Sequence, residues 1–219
     1  MATNADGTYG PKIYLAPNGD EMRVKSGGVI DVETGGALKL AGVDVTAELA
    51  LLDSASAVLA IEAAAGITGG TGTVYKSTVQ KVGGIFRSTI LIDLTGLSSS
   101  TTDLDIIGQS TPAAHLGQIT AARSGTILGG LMTCLEAPVG GVTDIDLYSA
   151  TVATGKFDDG IAALTETAIV TSGAAWTVGR VLAITGMPPA NDYLYLCGGA
   201  AGTAAEYTAG KFLIEFYGY

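Results

Sequence analysis

The chain is poor in the residues that usually carry chemistry. Its 219 residues include one histidine, His115, and two cysteines, Cys134 and Cys197. Metal sites built on imidazole and thiolate need those ligands in clusters at short spacing, and this sequence offers no such cluster. A Ser-His-Asp or Cys-His centre has a single candidate base. No Gly-x-Ser-x-Gly elbow occurs, and no Gly-x-x-x-x-Gly-Lys-Ser/Thr phosphate loop. Beside Pro112-Ala113-Ala114, His115 reads as a surface or interface loop residue. The cysteines sit in apolar, strand-like runs and read as two buried free thiols, with no disulfide required. No catalytic residue, cofactor or metal is expected.

Charge is also scarce. Charged residues make up 15% of the chain, and the net charge is −10 with only 11 Lys plus Arg. Those cations are scattered, whereas phosphate neutralisation needs a clustered basic face, so nucleic acid is not an expected partner. No apolar run reaches the ~18 residues of a membrane span. The polar start Met1-Ala2-Thr3-Asn4-Ala5-Asp6-Gly7 lacks the basic-then-apolar pattern of a signal peptide. Synthesis in a cytoplasm is the expectation. Aromatics are 6% with a single tryptophan, Trp176. Tyr193, Tyr195, Tyr207, Tyr217 and Tyr219 gather towards the C-terminus; they can form a sugar-binding face or simply pack in a core and interfaces.

Glycine, by contrast, is abundant at 32 residues, about twice its usual share. It weakens helices and suits turns and close-packed strands, so a mainly β fold is expected. Residues 1–23 read as an extended docking arm, punctuated by Pro11, Pro17 and Asn18-Gly19, in which Ile13, Tyr14 and Leu15 can add as a strand to a neighbour. Residues 24–43 hold a Gly-Gly octad, Gly27 to Thr34, echoed by Gly35 to Gly42. Its period-two pattern turns Ile30, Val32, Leu38 and Leu40 to one side. Two such strands form a marginal hairpin alone; they suit either three chains meeting around an axis or a hairpin packed on the chain's own large domain. Residues 44–66 read as a short helix with Asp44 or Thr46 as N-cap and Gly66 as C′ residue. Val45, Leu49, Leu52, Ser56, Leu59 and Ala63 follow coiled-coil spacing, which also fits a helix lying on a globular core. Candidate interface residues are therefore Ile13, Tyr14, Leu15, Ile30, Val32, Leu38, Leu40, Leu49, Leu52 and Leu59.

From residue 70 to 219 the pattern is of many short strands between turn clusters, the mark of an antiparallel β-sandwich of jelly-roll-like kind. Strands are expected at 73–80, 85–94, 103–107, 126–135, 144–148, 168–171, 181–185, 193–197 and 211–217. Phe212, Ile214 and Phe216 alternate cleanly in the last of these, which would pin the C-terminus into a sheet. One acidic pattern recurs: Thr102-Asp103-Leu104-Asp105 and Thr143-Asp144-Ile145-Asp146. In each, two carboxylates would share one face of a strand. Such pairs can bind calcium or act as acid and base; half-buried strand polarity and turn capping explain them more simply.

Three stretches of the large domain carry a resemblance. They are Arg87 to Leu97 running on into Thr101 to Gly108, Gly117 to Thr126, and Gly198 to Phe212. Together they resemble capsid decoration, or cement, proteins of tailed bacteriophages over roughly residues 75–219. The Gly-Gly repeat and helix are similar to the stems of phage fibre and head-decoration proteins. The resemblance implies a structural virion protein on the outer capsid surface, made in the host bacterial cytoplasm, a homotrimer that binds the major capsid protein and stabilises the shell. It carries over no catalytic residue. The alternative is a trimeric phage fibre or receptor-binding protein that recognises a host surface glycan.

Overall fold

The computed structural model describes residues 13–15, 22–24, 39–40, 43–44, 60–109 and 111–219. The chain forms two compact units, Met1–Asp53 and Ser54–Tyr219. In the first, β1 (Ile13–Leu15) pairs antiparallel with β2 (Met22–Val24), Leu15 opposite Met22. The segment expected to lie open to a neighbour thus finds one partner in its own chain. β3 (Lys39–Leu40) pairs antiparallel with β4 (Val43–Asp44) across Ala41-Gly42. Asp44 is therefore a strand residue, and Leu40 lies opposite Val43. Ile30, Val32, Leu38, Leu49, Leu52 and Leu59 lie outside the described residues.

The expected helix does not continue to Gly66. Residues 60–64 are not helical, and the short helix α1 spans Ala65–Thr68. The reason is competition for the backbone. The Ile61 N–H donates to Ser77 Oγ, and the Ile61 carbonyl accepts from the Ser77 and Tyr75 hydroxyls. The Ala64 N–H donates to His115 O and the Gly66 N–H to Ala113 O. These groups bond across the domain instead of along a helix. Ile61, which is 1% exposed, falls between the heptad positions Leu59 and Ala63. Burying one isoleucine fully is worth about 1.5–3 kcal/mol, more than alanines at heptad positions return.

The second unit is built from β5 (Val74–Val82), β6 (Ile85–Asp93), β7 (Ser98–Ser99), β8 (Gly117–Gln118), β9 (Ile127–Val139), β10 (Ile145–Ala150), β11 (Glu166–Val170), β12 (Val181–Ala183), β13 (Tyr193–Gly198), β14 (Ala205–Glu206) and β15 (Ala209–Gly218). A short helix, α2 (Ala121–Ser124), precedes β9, and a 3-10 turn spans Ile161–Leu164. One sheet has the order β12-β9-β15-β6-β5, the other β11-β10-β13-β8, and β7 and β14 form a separate ribbon. Setting aside β5 and that ribbon, eight strands remain. In sequence order they give neighbours 1-8-3-6 in one sheet and 2-7-4-5 in the other. The chain crosses between sheets at nearly every step, and its first strand pairs with its last. That is the double Greek-key wrapping of a jelly roll, as expected of the sequence. The strand expected at 103–107 is the exception. Leu104 has φ 64°, and this stretch makes only isolated bridges, Asp105 to Gly160 and Ile106 to Cys197.

The two sheets share one core. Phe212, Ile214 and Phe216 of β15 lie in it with Ile90 and Ile92 of β6, Met132 of β9, and Leu147, Leu194 and Leu196 of the other sheet. Cover is unequal. Every residue of β10 is buried, on both faces of its sheet. Its far face is roofed by loops: the Tyr195 hydroxyl donates to Val152 O at 2.7 Å, and His115 packs on Tyr193. The five-stranded sheet alternates instead between buried and partly exposed residues, so among the described residues one of its faces is open.

Candidate functional site

The open face is defined by register. Leu213 stands between Leu91 and Thr133, and Thr133 stands opposite Val181. One step along, Glu215 stands between Thr89 and Leu131. Leu91, Leu131 and Leu213 are half-buried, Val181 is 48% exposed, and none of the four belongs to the core. Phe86, Tyr75 and Leu182, on the opposite side of the same strands, pack against that core. Period-two alternation therefore sends one set of apolar side chains inward and leaves another facing out.

Ion pairs bound this aliphatic stripe. On one side Arg87 Nε donates to Glu215 Oε1 at 2.9 Å. On the other, Lys211 Nζ bonds Glu136 at 2.6 Å and lies 3.2 Å from Asp93. These contacts, with the Thr95 hydroxyl and N–H, draw the Asp93 carboxyl below its usual range against the opposing effect of burial. Tyr217, half-buried and directly opposite Arg87, adds an aromatic edge.

The two Asp-x-Asp motifs do come together, at the end of β13. Asp146 pairs with Cys197 from one side, and Ile106 bridges Cys197 from the other. The Leu104 N–H donates to Gly198 O, and the Gly198 N–H to Asp105 O. Asp103 and Asp105 do not share a strand face, because the positive φ of Leu104 turns the chain between them. Asp144 and Asp146 do converge: a Cβ on Gly199 would meet an Oδ1 of each at 2.7 Å. Asp146 Oδ1 accepts from the Ser172 N–H at 2.6 Å, and Asp105 Oδ2 from Ser100 Oγ at 2.7 Å. Burial pushes the Asp146 carboxyl up, and the neighbouring Asp144 and Asp103 add to this. Among the described residues no group of three or more His, Cys, Asp or Glu side chains is placed to hold a metal ion.

The remaining candidates are dispersed. His115 lies in the loop before β8 and is half-buried: its ring lies 4.9 Å from Tyr193 and edge-on to Tyr195. Its Nδ1 is buried without a partner, and burial lowers its pKa. Cys134 and Cys197 are both buried and free; burial pushes the Cys197 thiol far up. The five C-terminal tyrosines form no common face. Tyr195 and Tyr207 are fully buried, Tyr193 packs against the core, Tyr217 lies on the open sheet face, and Tyr219 is exposed at the chain end. Trp176 is buried, its ring edge-on to Phe212 and covered by the Arg180 guanidinium.

No known family model, curated protein or solved structure matches this chain. Among the described residues no helix is long and apolar enough to cross a membrane.

The open face was missed by sequence reasoning. Its signal was present in the alternation of β9 and β15, where Leu131 and Leu213 fall on the side opposite Met132, Phe212 and Ile214. Strand order was needed to bring those leucines together.

Proposed function

We propose that this chain is a structural virion protein, a capsid decoration protein that binds an assembled phage head and stabilises it in many copies, as a homotrimer. The observation that carries this reading is the open face of the five-stranded sheet. It is a surface of aliphatic, Tyr and ion-paired side chains on a jelly roll, suited to contact with another protein chain. A jelly roll joined in one chain to a second compact unit suits a protein whose work is assembly. Many weak contacts repeated over a shell add by avidity, and a surface through which copies meet couples those contacts. The acidic chain stays soluble until it meets its shell.

The test is binding to undecorated heads, read by co-sedimentation and by electron microscopy of the particles. Decoration at regular shell positions, with greater resistance of the heads to heat or chelation, is the expected result. Failure to bind heads rejects the proposal. Deleting residues 1–23 should abolish occupancy; wild-type occupancy by the truncated protein would remove the docking arm from the proposal.

A further inference from the structure

We infer that the open face of the five-stranded sheet is occupied by a second copy of this chain. The inference rests on the assembly reading above and names the face through which its copies meet.

Two observations select this occupant. The first is charge. Two chains of net charge −10 repel one another unless they meet where the charge is balanced. This face is balanced. Its outward register positions carry Lys76, Arg87 and Lys211 against Asp93, Glu136 and Glu215, and five of these six groups pair within the sheet. Four other carboxylates, Asp103, Asp105, Asp144 and Asp146, gather at the end of β13. A basic partner would be drawn to those clusters and not to a neutral stripe, while a like-charged copy gains most by approaching here.

The second is size. Five strands about 4.8 Å apart, some nine residues long at about 3.3 Å each, offer on the order of 600 Å². Specific interfaces begin at about 600 Å² from each partner, and crystal-packing contacts mostly bury less than about 400 Å². The face is thus large enough for a specific contact between copies. Leu91, Leu213, Thr133 and Val181 form one row across it, and the Glu215 carboxylate in the next row is held by Arg87.

The full-length protein, with no heads present, tests this by sedimentation velocity. The wild type should sediment as a multiple of the 21.9 kDa chain, and the double variant Leu91→Glu, Leu213→Glu as a single chain. Both positions are outside the core, so the near-UV signal of Trp176 should be unchanged. A multiple that persists in the folded variant, or a wild type that is a single chain at every concentration, overturns the inference. Hydroxyl-radical footprinting of the wild type reads the same face without mutation. Leu91, Leu213 and Tyr217 should become protected as concentration rises, and labelling that does not change with association overturns the inference. Head occupancy is measured separately. A protein that self-associates through this face but never binds heads rejects the decoration reading alone.

Discussion

Gly66 shows how a single residue can be right for a different reason than its sequence context suggests. As a glycine after an amphipathic run it reads as a helix terminator. In the fold it lies inside α1, pressed against the Pro112–Ala113 backbone. A Cβ there would stand 2.5 Å from Ala113 O and 2.6 Å from Pro112 O. Gly66→Ala should therefore cost about 1–3 kcal/mol, as overpacking typically does, measured by urea denaturation with an unchanged m-value. His115 offers a second residue-scale test. Its folded pKa lies below the ordinary 6.5 because burial disfavours the imidazolium. Its contribution to stability is thus complete above pH 6.5 and is lost as pH falls through the depressed folded value. Asp146 works in the opposite sense. Its raised pKa favours the acid form, so its contribution is present at low pH and lost as pH rises through its folded value. His115→Phe keeps an aromatic ring against Tyr193 and removes the proton site. The variant's melting temperature should fall less than the wild type's between pH 7 and pH 5.

At the scale of elements, the last strand is the most exposed to test. β15 pairs with β6 on one edge and β9 on the other, so it holds the five-stranded sheet together. Tyr219, the residue after it, also pairs with Thr126 through both backbone groups. Removing residues 209–219 should abolish cooperative unfolding and the near-UV signal of Trp176, which packs on Phe212. A truncated chain that still melts in one transition would mean that the sheet closes without its central strand. This strand was legible in sequence because its period-two pattern is uninterrupted and its inward residues are large. The stretch 103–107 has the same alternation on paper. It fails as a strand because Leu104 takes a left-handed conformation so that its N–H can reach Gly198 O. Local pattern cannot register that distant carbonyl. The helix expected at 44–66 fails at its C-terminal end for a related reason: Tyr75 and Ser77 compete for the Ile61 backbone groups.

For the whole molecule, the division at Asp53/Ser54 predicts that the second unit is self-sufficient. A fragment of residues 60–219 should be soluble and melt in a single transition, with a Trp176 near-UV spectrum matching that of the full chain. A fragment that is molten would show that the first unit supplies part of the second unit's core. What the sequence determined by itself was the class of structure. Glycine-rich turns and alternating apolar residues specify a mainly β sandwich, and the sparse histidine and cysteine leave no local catalytic motif to read. These follow from composition and from contacts a few residues apart. The tertiary structure alone decided which of the two alternating sets on each strand faces the core. It decided that the two Asp-x-Asp motifs meet at the end of β13, and that Leu91, Leu131, Leu213 and Val181 form one surface. Each of these depends on strand order. In a jelly roll, neighbours in a sheet come from opposite ends of the chain, so the contacts that create such a surface leave no local trace in the sequence.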